Sequence, residues 1–138
     1  MVKFVVAAMV LIGLSAPSRA ETIGAGTINV ELNSTASLED SCTLTFVVQN
    51  GHADEIERLV FETVLFDRDG KVDRLTLFDF GNLPVGIPRV RQFSLPETHC
   101  ERLGRILFNG LSTCDAANDN VCAGPITHHT RTDIEVLG

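Results

Sequence analysis

The residues best equipped for chemistry are four cysteines, Cys42, Cys100, Cys114 and Cys122. Four cysteines allow three pairings, and a metal site or a redox pair is the alternative use of such thiols. The sequence contains no Cys-x-x-Cys, and the spacings do not match a zinc ribbon or a zinc knuckle. We therefore expect two structural disulfides.

The most conspicuous polar pair is His128-His129. Adjacent residues on a strand point to opposite faces, so both imidazoles can bind one copper or zinc ion only from an irregular loop. His52 and His99 could contribute ligands, but nothing in the sequence places them nearby. We expect solvated histidines beside the last strand, and a metal site is the alternative.

Two stretches contain the oxygen ligands that calcium prefers. Asp67-x-Asp69-Gly70 begins like a calcium loop, but an EF-hand would need an acid or amide in place of Leu65 and a Glu in place of Thr76. The second stretch offers four side chains: Asp115, Asn118, Asp119 and Asn120. Both stretches are more typical of surface turns, so calcium there is an alternative and no cofactor is expected.

Enzymatic catalysis finds little support in the sequence. There is no Gly-x-Ser-x-Gly motif, and the cysteines are assigned to disulfides. The 18 acidic residues give many carboxylate pairs that could hydrolyse a glycoside, but no pair stands out, and Trp and Tyr are absent. We expect a protein that is not an enzyme, with a small hydrolase as the third hypothesis.

Arg89 and Arg91 stand two residues apart in an otherwise acidic chain. On a strand they would project to one face, where they could contact an anion or a protein partner. Cross-strand pairing with Asp or Glu is the commoner use of such arginines.

Residues 1–20 have the pattern of a secretory signal peptide. Lys3 precedes an apolar run, Phe4 to Leu14, that is too short to span a bilayer, and Ser18-Arg19-Ala20 is typical of a cleavage site. Cleavage would leave a single domain, residues 21–138, with 9 basic and 18 acidic residues and a net charge of −9. We expect a periplasmic or secreted protein without stable membrane insertion.

The elements that must position these residues are predicted to be strands. Leu59–Phe66 and Val72–Phe80 are rich in Val, Phe and Thr and flank Asp69-Gly70, which is typical of a β-hairpin. Residues 53–66 would also fit an amphipathic helix, but their β-branched and aromatic residues favour a strand. Apolar residues on both faces of that strand indicate a central position or a bulge.

Other runs have the same character. Apolar residues alternate with polar ones from Ile28 to Leu32 and from Cys42 to Val48. Further strands are predicted at 89–95, as an edge or bulged strand, at 103–111, and at 132–137 after a polar loop. About seven strands without a long helix predict an all-β, immunoglobulin-like, antiparallel two-sheet β-sandwich.

This arrangement also predicts the disulfide pairing. The second and sixth strands of such a sandwich run in the same direction, and Cys42 and Cys100 each lie at the start of one of them. Cys114 follows the sixth strand at the opposite end, with Cys122 a short loop away. We predict the pairs Cys42–Cys100 and Cys114–Cys122.

Several stretches together resemble a family of small, uncharacterised exported proteins of alphaproteobacteria, often labelled Tat pathway signal sequence domain proteins. They are Cys-x-Leu-Thr-Phe-Val from Cys42, the block Leu65–Gly81, Pro-Arg-Val-Arg-Gln-Phe from Pro88, and Asn109-Gly110 with Cys114. The N-terminus departs from the label because it has no twin Arg. The resemblance implies a periplasmic location, and it supplies no activity and no catalytic residues that could be transferred to this chain.

These features predict a non-enzymatic protein-interaction module. Its edge strands or end loops would contact an unknown envelope protein, and the acidic surface would steer it toward a basic partner. The same charge repels phosphate backbones and anionic lipids, so neither nucleic acid nor such a membrane surface is an expected partner. The alternative is a periplasmic metal-binding protein using His128, His129 or residues 115–120.

Overall fold

The computed structural model describes residues 24–138, so the predicted signal peptide at residues 1–20 lies outside the described residues. The strands are β1 (Ile28–Leu38), β2 (Ser41–Asn50), β3 (Ile56–Asp67), β4 (Val72–Leu83), β5 (Arg89–Pro96), β6 (Leu103–Ala116), β7 (Ile126–Thr130) and β8 (Glu135–Leu137). A 3-10 turn, Cys100–Arg102, precedes β6, and a short helix, α1 (Asp119–Ala123), follows it.

The strands form two packed sheets, which confirms the predicted β-sandwich. Sheet A has the order β5-β2-β1-β7, and sheet B has the order β4-β3-β6-β8. Placing β2 between β1 and β5, and β3 between β4 and β6, follows the immunoglobulin-like arrangement. The chain crosses between the sheets five times, after β2, β4, β5, β6 and β7.

The core lies between the sheets and is built from alternating side chains. Cys42, Leu44, Phe46 and Val48, the residues of one face of β2, have no exposed surface. Six phenylalanines form one network of ring contacts: Phe46, Phe61, Phe78, Phe80, Phe93 and Phe108. Phe46 is central to it and meets four of the other rings edge-on at centroid distances of 5.6 to 5.9 Å. Edge-on aromatic pairs of this kind stabilise a core beyond the area that they bury.

Residues 59–66 form a strand, as the density of β-branched and aromatic residues predicts. β3 pairs with β4 across the Asp69-Gly70 turn and with β6 on its other side, so it is a central strand. Its register with β4 shifts near Leu59 and again after Leu65, and its register with β6 shifts at four places. β3 is therefore a central strand with bulges, as predicted, but only one of its faces is covered by the other sheet in the described residues.

The two predicted disulfides are present. Cys42–Cys100 links β2 of sheet A to the turn before β6 of sheet B, and Cys114–Cys122 links β6 to α1. Cys42 lies at the start of β2, whereas Cys114 is paired with Leu59, near the opposite end of the strands. The bridges therefore tie the sandwich at its two ends and indicate an oxidising, extracytoplasmic location.

The C-terminal part of the sandwich differs from the prediction. Ile126–Thr130 forms a strand that was not predicted, because its single apolar residue gives no alternation. β7 runs parallel to β1, and the last strand, β8, runs parallel to β6. The fold therefore has eight strands with two parallel pairs, rather than about seven strands that are all antiparallel.

The fifth strand is an edge strand, as predicted, but it has no bulge. Its register with β2 is continuous from Ser41–Pro96 to Val48–Arg89. Its apolar residues do not alternate regularly along the sequence, because Val90 points outward while Phe93 and Leu95 point inward. Arg89 and Arg91 take the remaining inward positions, at the margin of the core.

Candidate functional site

The outer face of sheet B carries apolar side chains that cross all four strands. Leu75 of β4 is paired with Val64 of β3, Val64 with Leu107 of β6, and Leu107 with Leu137 of β8. We call these four residues the apolar row. Leu75 is 71% exposed and Leu137 is 39% exposed, whereas Val64 is covered by its neighbours within the sheet. A row of this kind is unusual because the outer face of an antiparallel sheet is normally polar.

The next row toward the β3–β4 turn contains Val72, Phe66, Arg105 and Glu135, which are paired in that order. We call it the turn-side row. Arg105 Nε donates to Glu135 Oε2 at 2.6 Å, and the guanidinium lies 5.7 Å from the centroid of the Phe66 ring. The charges of Arg105 and Glu135 therefore balance each other within the turn-side row, while Val72 is 55% exposed.

The row on the other side contains Leu77, Glu62 and Gly110. We call it the loop-side row. Leu77 is 57% exposed, and Glu62 forms no ion pair or hydrogen bond with another described residue. A Cβ placed on Gly110 would meet no atom within 4 Å, so the surface is open above that residue. One acidic group and one vacant position therefore border the apolar row on this side.

Farther along this face, Arg58 and Asp79 form a second ion pair. Arg58 Nη2 lies 2.8 Å from Asp79 Oδ2. The hydrogen bond from Arg58 lowers the pKa of Asp79, and the Gly81 N–H adds to this effect against the opposing influence of burial. One arginine–carboxylate pair thus lies within the turn-side row, and a second lies beyond the loop-side row.

Sheet A has a different outer face. It consists mainly of hydroxyl, amide and other polar residues: Asn29, Glu31, Thr43, Thr45, Gln92, Thr127 and His129. Several of these side chains bond to each other, for example Gln92 to Thr45 and Thr127 to Asn29. Half of the eight large hydrophobic residues that are exposed in residues 24–138 lie instead on the outer face of sheet B: Val72, Leu75, Leu77 and Leu137.

The histidine pair lies on β7, where the two side chains point to opposite faces. His128 turns inward, and its ring stacks on Phe108 at a centroid distance of 5.3 Å. A Cβ on Gly138 would lie 2.6 Å from His128 Nε2, so a larger residue there would require the ring or the chain to shift. Burial lowers the pKa of His128, and the nearby His129 lowers it further. The expectation of two solvated histidines is therefore wrong for His128, whereas His129 is exposed.

A shallow cleft of about 300 Å³ separates β6 from β7 beyond the end of β8. Its walls are mainly apolar: Phe61, Phe108, Leu111, Ile126 and His128 line it. The Nε2 atom of His128 is buried without a hydrogen-bond partner, and so is that of His52. The described residues that line the cleft include no Asp or Glu side chain.

The candidate calcium ligands serve local structure. Asp67 Oδ1 accepts hydrogen bonds from the backbone N–H groups of Asp69 and Lys71, which makes the hairpin turn. Asn118 caps α1 by accepting from the N–H of Asn120, and Asp115, Asn118, Asp119 and Asn120 are all exposed. No group of three or more His, Cys, Asp or Glu side chains within residues 24–138 is arranged to hold a metal ion.

Arg91 and Arg89 have different surroundings. Arg91 Nε donates to the carbonyl oxygen of Phe80 at 2.6 Å, and Nη2 donates to that of Asn82 at 3.1 Å. These bonds connect β5, the edge of sheet A, to β4, the edge of sheet B. Arg89 makes no such contact with a described residue, so the two candidate partner-binding arginines are not equivalent.

Sequence reasoning missed the apolar row as a surface. Leu75 and Leu77 point to the opposite face of β4 from Phe78 and Phe80, so the presence of apolar residues on both faces of this strand was the available signal.

No helix within the described residues is long and apolar enough to cross a membrane. Comparisons of the chain with protein-family models, with curated proteins and with solved structures find no match.

Proposed function

We propose that this protein is a non-enzymatic interaction domain of the periplasm or of the secreted fraction, and that it binds a protein partner through the outer face of sheet B. The observation that carries the proposal is the contrast between the two outer faces. Apart from Val47 and Val90, which are paired on its outer face, sheet A presents mainly polar side chains, whereas sheet B exposes an apolar row and two flanking hydrophobic residues. Exposed apolar surface that is bordered by polar groups is typical of protein contact sites.

The predicted signal peptide and the disulfides support the proposed compartment. The paired charges beside the apolar row support a protein partner rather than a lipid surface, because they offer fixed positions for complementary charges. The contact surface that we propose differs from the edge strands and end loops that the sequence suggested. The edge strand β5 is an example, because the side chain of its Arg91 bonds to carbonyl oxygens of β4.

The proposal is tested by affinity capture from the native compartment with the wild type and two matched variants. Leu75→Glu puts a charge in the apolar row, and Val90→Glu puts one on the outer face of sheet A at a residue that is 59% exposed. We expect Leu75→Glu to lose the captured protein and Val90→Glu to keep it. Equal capture by both variants would contradict the proposed surface, and so would a wild type that binds neither another protein nor a second copy of itself.

A further inference from the structure

We propose that the outer face of sheet B binds a second copy of this chain in a face-to-face dimer whose two-fold axis runs along the apolar row. The inference rests on the proposed function, because it uses the same surface and names its occupant. Two sheets stacked in this way would lie about 10 Å apart, with side chains from both faces meeting between them.

Under this symmetry, the three rows of one copy are complementary to the three rows of the other. A two-fold axis along the apolar row leaves that row facing itself and brings the turn-side row of one copy over the loop-side row of the other. The two rows are equally far from the axis, because Phe66 and Glu62 lie two residues on either side of Val64 in β3. Each strand of one copy then faces the same strand of the other in the opposite direction.

The apolar positions match in this arrangement. Leu75 lies on the axis and meets Leu75 of the second copy. On the same strand, the exposed Leu77 of one copy faces the exposed Val72 of the other. The side chains with the most exposed apolar surface on this face are therefore covered by each other.

The charged positions match as well. Arg105 and Gly110 both belong to β6, so Arg105 of one copy lies over Gly110 of the other, where the surface is open. Glu62 is paired with Gly110 and has no partner within the described chain. Phe66 of the second copy would lie directly over Glu62, and the incoming Arg105 would lie one strand spacing away, from where it can bridge Glu62 and its own Glu135. This is the charge complementarity that selects a second copy over an unrelated partner.

The area of this face predicts a weak dimer. Four strands about 4.8 Å apart and three rows about 7 Å apart cover on the order of 400 Å² of sheet on each copy. The total buried area falls below the standard size of stable complexes, so we expect a weak dimer that forms only at high protein concentration. The net charge of −9 on residues 21–138 opposes association at long range, so raising the salt from about 0.01 M to about 0.15 M should tighten the dimer.

Sedimentation velocity over a concentration series, from about 1 µM to about 500 µM, measures the association directly. We expect the wild type and Val90→Glu to shift from monomer to dimer over this range. Leu75→Glu should weaken the dimer at least tenfold, because two carboxylates would then face each other on the axis. A wild type that stays monomeric throughout, or an effect of Val90→Glu as large as that of Leu75→Glu, would overturn the proposal.

A charge exchange tests the predicted geometry. Glu62→Arg and Arg105→Glu should each weaken self-association, because each puts like charges beside one another across the axis. An equimolar mixture of the two variants should recover the dimer, since every introduced charge then meets its opposite. A mixture no more dimeric than either variant alone would overturn this packing. If Arg105→Glu does not fold, unchanged self-association of Glu62→Arg would by itself overturn this packing.

The outcomes separate this inference from the proposed function. A monomeric wild type that still captures a partner, and loses it in Leu75→Glu, would leave the proposed function intact and reject the dimer. A dimer that captures nothing else would identify the partner as the second copy. A wild type that neither associates nor captures a protein would overturn both proposals.

Discussion

At the scale of single residues, His128 shows how tightly the inner faces are filled. Its ring is enclosed by Phe108 on one side and Gly138 on the other, and its Nε2 atom has no hydrogen-bond partner among the described residues. A charged imidazole in that position would be poorly solvated, and this is why burial lowers its pKa. Burial therefore favours the neutral form of this ring, which packs on Phe108.

This pKa shift predicts a dependence of stability on pH. The unfolded chain titrates His128 near 6.5, whereas the folded chain keeps it neutral to lower pH. The unfolded state therefore binds more protons below pH 6.5, so stability should fall as the pH drops from 6.5 through the folded pKa. Urea unfolding at a series of pH values measures this slope.

The two neighbouring histidines provide a matched comparison. His128→Gln should flatten the slope between pH 6.5 and the acid range, and His129→Gln should keep most of it, because His129 is exposed on the opposite face. The carboxylates whose pKa values are lowered, Glu31 and Asp79, lose their contribution only in a more acidic window, below about pH 4. An unchanged slope in His128→Gln would refute the assignment to this ring.

At the scale of elements, the open sides of the sandwich are closed in different ways. On one side, the edge strands β4 and β5 are held together by the Arg91 side chain. On the other, the short β8 covers β6 only from Arg105 to Leu107, and the cleft follows where β8 ends. Cross-sheet hydrogen bonds to carbonyl oxygens from a charged donor are among the stronger ones in proteins.

Replacing Arg91 should separate these edges. We expect Arg91→Met to reduce the free energy of unfolding by about 2 kcal/mol, since two carbonyl oxygens lose a charged donor. Arg89→Met changes the same kind of side chain on the same face of the same strand and should cost less than about 0.5 kcal/mol. Chemical denaturation of both variants measures the two losses in the free energy of unfolding. Equal losses would contradict the claim that Arg91 holds β4 and β5 together.

Strand-level features were predictable where the local pattern was strong. The alternation in Cys42–Val48 and the turn at Asp69-Gly70 are local signals, and both appear in the fold. β7 was missed because a short strand paired with the distant Ile28–Leu32 segment depends on that partner rather than on its own periodicity. The apolar row escaped prediction for a related reason: Leu75, Val64, Leu107 and Leu137 become neighbours only through the registers of three separate strand pairs.

At the scale of the whole molecule, the two disulfides close loops of very different length. Cys42–Cys100 spans 58 residues and joins the two sheets, whereas Cys114–Cys122 spans 8 residues within one corner. A crosslink stabilises a fold largely by restricting the unfolded chain, and the effect grows with the length of the closed loop. The inter-sheet bridge should therefore contribute more to stability than the corner bridge.

Paired substitutions test this ranking. Removing the long bridge with Cys42→Ala and Cys100→Ala should cost about 4 kcal/mol, and removing the short one with Cys114→Ala and Cys122→Ala about 2.5 kcal/mol. Thermal and denaturant unfolding of the two double variants give both values. A larger loss for the short bridge would mean that native packing around α1, rather than chain entropy, sets the ranking.

The central claim is that the apolar row on sheet B is a contact surface in the native compartment. It is tested most directly by photo-crosslinking in intact cells, with a photoreactive phenylalanine derivative at Leu77 on sheet B or at Val90 on sheet A; both positions are more than half exposed. The account predicts a discrete crosslinked protein species from position 77 and none from position 90. Crosslinks of equal yield at both positions, or none at position 77, would contradict it.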